Sequence, residues 1–76
     1  MLPIQCRMAR TALSFGVKEL ADLAGVSTNT ISRLEAGEEL KPRTLAAIRA
    51  ALESAGVIFV EGNGEGPGVR LRKVSE

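Results

Sequence analysis

Apolar positions in this chain keep a helical period as far as residue 56 and lose it afterwards. In Val17 to Gly37, VKELADLAGVSTNTISRLEAG, Leu20, Ala21 and Ala24 fall on one stripe, and Ile31 and Leu34 on another. These spacings predict a short helix over Val17 to Ala24 and a second over Thr28 to Ala36. Gly25 supplies backbone freedom for a sharp turn between them, Ser27 is the expected N-cap of the second helix, and Gly37 is expected to end it. Upstream, Ile4 to Leu13 reads as a helix opened by Pro3, with Met8, Ala9, Ala12 and Leu13 on its apolar face and Phe15 as a core anchor behind it. Downstream of a polar loop, Glu38 to Pro42, the residues Leu45, Ile48, Ala51, Leu52 and Ala55 predict a fourth helix over Pro42 to Ser54, closed by Gly56.

Beyond Gly56 the pattern becomes that of strands. Val57, Ile58, Phe59 and Val60 form a continuous run of β-formers, Gly62 to Gly68 is rich in turn residues, and Val69 to Val74 alternates apolar and basic positions. A β-hairpin is expected. Its first strand is apolar on both faces and cannot be covered by one partner strand, so it is expected to lie on the helices and to pair through an exposed edge with another chain. The segment GNGEGPG is a hairpin connection rather than a phosphate-binding loop, lacking both the Lys-Ser/Thr ending and a following helix.

Two short helices joined at Gly25 make a helix-turn-helix pattern, and the second carries Thr28, Asn29, Ser32 and Arg33 on its outward side. These side chains suit the edges of paired bases. Asn can bond adenine bidentately, Arg can bond guanine in the same way, and Thr offers a methyl to thymine and a hydroxyl to phosphate. A helix whose capped end points outward can enter a DNA major groove. The plain alternative is a solvated polar face capped by Ser27.

Composition narrows the classes. With 76 residues, 45% hydrophobic and 25% charged, the chain reads as one small globular domain whose modest core favours pairing with a second copy. Two Phe and neither Trp nor Tyr leave little for stacking on single strands. No His and one cysteine, Cys6, offer no Cys/His metal cluster, no internal disulfide and no nucleophile–base pair, so neither a metal, a cofactor nor an enzyme activity is expected; Cys6 is expected to pack near the start of the first helix. Apolar runs fall far short of the roughly 18 to 20 residues of a membrane span, and no secretory signal is visible, so a cytoplasmic protein without membrane contact is expected. A net charge of +1 is low for a nucleic-acid binder. DNA binding then requires Arg7, Lys18, Arg33, Lys41 and Arg43 to share a face from which the acids are absent, and Glu38 and Glu39 stand awkwardly close to the third helix.

The segments ELADLAGVS, TISRLEAGE and TLAAIRAALESAGV resemble the Xre/Cro group of phage-repressor-type helix-turn-helix regulators, over about Arg7 to Gly56. Leu20, Ala21, Gly25, Val26, Ile31 and Glu35 share one register with that motif. The resemblance implies that the third helix faces DNA at Ser27, Thr28, Asn29 and Arg33, and that Arg10 pairs with Glu35 to join the first helix to the third. The chain departs from the family at Gly16 and Val17, where many members carry Ser or Thr followed by a phosphate-supporting Gln. Lys18, the N–H groups opening the second helix, and Lys41 or Arg43 are the candidate replacements.

The expected fold is therefore mainly α: a four-helix, phage-repressor-like domain over residues 1–56, followed by a hairpin over 57–76. Base contacts are expected from Thr28, Asn29, Ser32 and Arg33, and phosphate contacts from Lys18, Ser27, Lys41 and Arg43. Dimerisation is expected through Val57, Ile58, Phe59, Val60, Val69 and Leu71. The expected function is a homodimeric, sequence-specific regulator on double-stranded operator DNA. An antitoxin that also binds a toxin, and an interaction module that binds protein without DNA, remain alternatives.

Overall fold

Local devices bound every helix of the computed structural model, which describes residues 1–62 and 64–73. Helix α1, Pro3–Ala12, opens on proline, whose missing N–H costs nothing in a first turn. Helix α2, Val17–Ala24, stops at Gly25, which takes a left-handed φ of 71° that a side chain would resist. Helix α3, Thr28–Glu35, starts at Ser27, whose Oγ accepts the Thr30 N–H at 3.1 Å. Helix α4, Pro42–Ser54, again opens on proline, with Lys41 at the N-cap.

Leu20 and Ala21 of α2 pack with Ile31 and Leu34 of α3 and with Ile48, Ala51 and Leu52 of α4. Leu20, Ile31, Ile48 and Leu52 are each 0% exposed, so each contributes about 1.5 to 3 kcal/mol of burial to holding α2, α3 and α4 together. The α2–α3 angle is fixed by this cluster, not by the turn alone.

Helix α1 presents a different face from the one its apolar residues predict. Gln5, Cys6 and Ala9 are buried, Met8 and Leu13 are half-buried, and Ala12 is exposed. Polar partners supplied by distant segments set this rotation. Gln5 reaches two carbonyls of the hairpin, and the Cys6 thiol donates to Glu35. Phe15 is no core anchor either: it is half-buried outside the central cluster, beyond the turn at Ser14 that takes the chain off the inward face of α1.

Strands β1, Val57–Val60, and β2, Gly68–Leu71, pair antiparallel, with Val57 opposite Leu71 and Phe59 opposite Val69. Alternation resolves the apolar run. Val57 enters the helical core, Phe59 and Val69 pack against it, and Ile58 faces outward. The hairpin is therefore continuous with the core of α1 to α4. Two polar clips reinforce it: the Gln5 amide, and the Arg49 guanidinium lying 4.8 Å from the centroid of the Phe59 ring. The second strand ends earlier than its alternation predicts, because β1 begins at Val57 and provides no further partner. One last bond, from the Arg72 N–H to the Gly56 carbonyl at 2.7 Å, closes the ladder. Val74, the expected end of that strand, and Asn63, in the expected turn, lie outside the described residues.

Candidate nucleic-acid interface

The first turn of α3 points its N–H groups away from the core, and Ser27 satisfies one of them. From that end Thr28 and Asn29, and one turn later Ser32 and Arg33, are all exposed. Ile31 and Leu34 between them are buried, so α3 is anchored along one side and polar along the other. At eight residues it is about 12 Å long, and an α-helix with its side chains, roughly 10 to 12 Å across, fits the width of a B-DNA major groove. Thr30 is held differently: its hydroxyl lies 2.8 Å from Ser27 Oγ, within the cap.

Behind α3, Glu35 is gripped from three sides. Arg10 Nε donates to Oε2 at 2.9 Å and Nη2 to Oε1 at 2.8 Å, a two-point contact. Arg7 Nε stands 3.5 Å from Oε1, and the Cys6 thiol donates to Oε2 at 3.4 Å. The Glu35 side chain is 5% exposed. The hydrogen bonds from Arg10 hold its carboxyl below the usual carboxylate range against the opposing effect of burial, and they raise the Arg10 guanidinium in turn. Burial, with the adjoining carboxylate, pushes the Cys6 thiol up to about 12. This cluster ties α1 to the last turn of α3, at the opposite end of the helix from Thr28 and Asn29.

The phosphate candidates divide into two groups. Lys41 and Arg43, both exposed, open α4, and Lys41 shares a shallow hollow with Thr30, Arg33, Glu39, Leu40 and Thr44. Arg33 of α3 and Lys41 of α4 thus meet on one surface. Lys18 is instead paired with Asp22 at 3.0 Å. The opening of α2 is also occupied, since Glu19 Oε1 accepts the Gly16 N–H at 3.3 Å; a phosphate there would have to displace a carboxylate.

The expected separation of cations from acids does not occur. Arg7 turns to Glu35, Lys18 to Asp22, and Arg33 to Glu38 at 3.1 Å. Only Lys41 and Arg43 of the five are without an ion pair among the described residues. The cause is local: Asp22 lies one helical turn beyond Lys18, and Glu38 is folded back beside Arg33 where α3 ends.

The expected dimer contacts need a similar correction. Val57 is 1% exposed, spent on the core of its own chain, and the side chains of Phe59 and Val69 pack against that core. Ile58, 43% exposed, and the half-buried Val60 remain on the outward face; Leu71, paired with Val57, lies on the helix-facing side although it is 50% exposed at the end of the strand.

Sequence patterning passed over Gln5 and Glu19, and set Glu38 near the third helix without pairing it with Arg33. That pairing was foreseeable, since a helix ended by glycine returns the next residue to the side chain five positions earlier. Nothing local marks Gln5, whose partners are 55 and 63 residues away.

Among the described residues no helix is long and apolar enough to cross a membrane. No curated protein matches the chain in sequence. A family model described as helix-turn-helix matches residues 7–55, a span that includes α2, the Gly25 turn, α3 and the Arg10–Glu35 contact. With that match and this four-helix architecture, the chain belongs to the Xre/Cro-type helix-turn-helix family of DNA-binding regulators.

Proposed function

We propose that this protein is a sequence-specific transcriptional regulator that binds operator DNA as a homodimer, with α3 of each copy in the major groove. One observation carries the reading: Thr28, Asn29, Ser32 and Arg33 are exposed together on a helix whose opposite side is locked into the core. They supply the hydrogen-bonding groups that distinguish base pairs. Lys41 and Arg43, on the adjoining start of α4, neutralise phosphates and fix the register of α3. The Arg10–Glu35 contact holds α3 at the angle this docking requires.

Dimerisation uses the outward side of the hairpin, through Ile58 and Val60 rather than the whole expected set. Two copies joined there place two α3 helices on half-sites roughly 34 to 36 Å apart, one duplex turn. Binding takes place in the cytoplasm, where the operator is, and is set by protein concentration.

Enrichment from a random duplex pool tests the reading, together with the salt dependence of retained DNA. A two-fold related consensus and affinity that falls steeply with salt are the expected results. A protein that enriches no sequence and retains no duplex at low salt would remove the proposal.

A further inference from the structure

The end of α3 places Glu38 against Arg33 by backbone geometry. The Gly37 N–H donates to the Leu34 carbonyl and the Glu38 N–H to the Arg33 carbonyl, both at 3.0 Å, with Gly37 at a φ of 93°. This is the helix-ending motif in which the residue after the glycine abuts the side chain five positions earlier, commonly through a hydrophobic contact. Here the contact is ionic, Arg33 Nε to Glu38 Oε1 at 3.1 Å.

Stability gives little reason for the pair. The two side chains are 46% and 54% exposed, and exposed pairs contribute little to folding. Glu38 also adds negative charge beside Arg33 in a chain of net charge +1, which opposes binding to any duplex. The consequence for Arg33 is specific. Its Nε is taken, while Nη1 and Nη2 have no partner among the described residues. Those terminal nitrogens form the end of the guanidinium fork that bonds guanine O6 and N7 side by side.

We infer that Glu38 is a positioning residue for base recognition: it holds Arg33 by Nε so that the terminal nitrogens meet a guanine edge, and it makes Arg33 a poor phosphate ligand. This rests on the DNA-binding reading above. Glu38 touches no base. It narrows the rotamers of Arg33 before binding, so less freedom is lost when the guanine contact forms, and its charge penalises sequence-independent binding.

Selection from a randomised duplex pool, followed by affinities for the consensus and for the same site with guanine replaced, distinguishes the roles. Wild type enriches guanine at one position of each half-site, and Arg33→Ala loses that preference. Glu38→Ala binds random duplex more tightly than wild type, while its preference for guanine falls on the order of tenfold. Glu38→Gln, whose amide oxygen still accepts from Nε, gains the same general affinity and keeps most of the preference. If Glu38→Ala discriminates guanine as wild type does, or Glu38→Gln loses discrimination equally, the positioning role is wrong although the DNA reading stands. If wild type itself retains no duplex, the DNA reading fails and this inference falls with it.

Discussion

The side-chain amide of Gln5 donates to the Val60 carbonyl at 3.1 Å, joining α1 to the far end of β1. The other amide hydrogen reaches the Gly68 carbonyl at 3.1 Å, and Oε1 accepts the Leu2 N–H at 2.8 Å. A residue 2% exposed thus has both donors and its acceptor engaged. Gln5→Leu keeps the volume and strips two strand carbonyls of their partner, with an expected loss of about 2 to 4 kcal/mol in urea unfolding. Gln5→Glu is worse at neutral pH, because a carboxylate faces two carbonyls with nothing to donate. A loss below about 0.5 kcal/mol for Gln5→Leu would mean that water replaces the amide.

Arg10 and Glu35 form a coupled unit: removing Arg10 leaves the buried Glu35 carboxylate with only the longer Arg7 contact and the Cys6 thiol, and removing Glu35 leaves a largely covered guanidinium without its anion. Arg10→Met and Glu35→Leu are each expected to cost about 3 to 5 kcal/mol, and the double variant less than their sum. A coupling near zero in the cycle would reduce the pair to an incidental contact. The pH dependence follows from the lowered folded-state pKa of Glu35, held down by its hydrogen bonds from Arg10. Its stabilisation is fully present above the unfolded value, about 4.3, and is lost as pH falls through the lower folded value. The stability difference between wild type and Glu35→Leu should accordingly be flat near neutrality and shrink in acid.

Cys6 is expected to be inert in the native protein. It is 0% exposed, and its thiol is pushed up to about 12, so almost no thiolate exists at pH 8. Labelling by a thiol reagent should proceed at the rate of unfolding and accelerate with urea. Stoichiometric labelling within seconds in native buffer would contradict this burial.

Base and phosphate candidates should separate by signature. Asn29→Ala or Arg33→Ala should weaken binding to a selected operator by about 1 to 3 kcal/mol and relax discrimination, leaving unfolding nearly unchanged. Lys41→Ala or Arg43→Ala should weaken all duplexes alike and lower the salt slope by about one. Equal operator affinity for wild type and Arg33→Ala would remove the central assignment.

For the dimer, point changes are the sounder test, because deleting the hairpin would open the core at Val57 and orphan Gln5. Sedimentation of wild type at tens of micromolar should give twice the chain mass. Ile58→Glu, on the outward face, should give the monomer with an unchanged thermal melt. A wild-type monomer at that concentration would rule the hairpin interface out.

Chain patterning by itself determined the order of four helices and a hairpin, the Gly25 turn, the Ser27 cap and the exposure of α3, because these depend on interactions within about one helical turn or on the periodicity of a single element. Tertiary structure decided which face of α1 is buried, how far β2 runs and which hairpin residues point outward, because those follow from partners far away in the chain. Gln5 reads locally as a solvent-facing helix residue until two strand carbonyls arrive. Val57 reads as one of four equivalent apolar positions until the core claims it. Arg7 reads as a surface cation until folding sets Glu35 of α3 beside it. A linear pattern records which side chains are apolar or charged. Only packing assigns each buried polar group the partner that repays its desolvation.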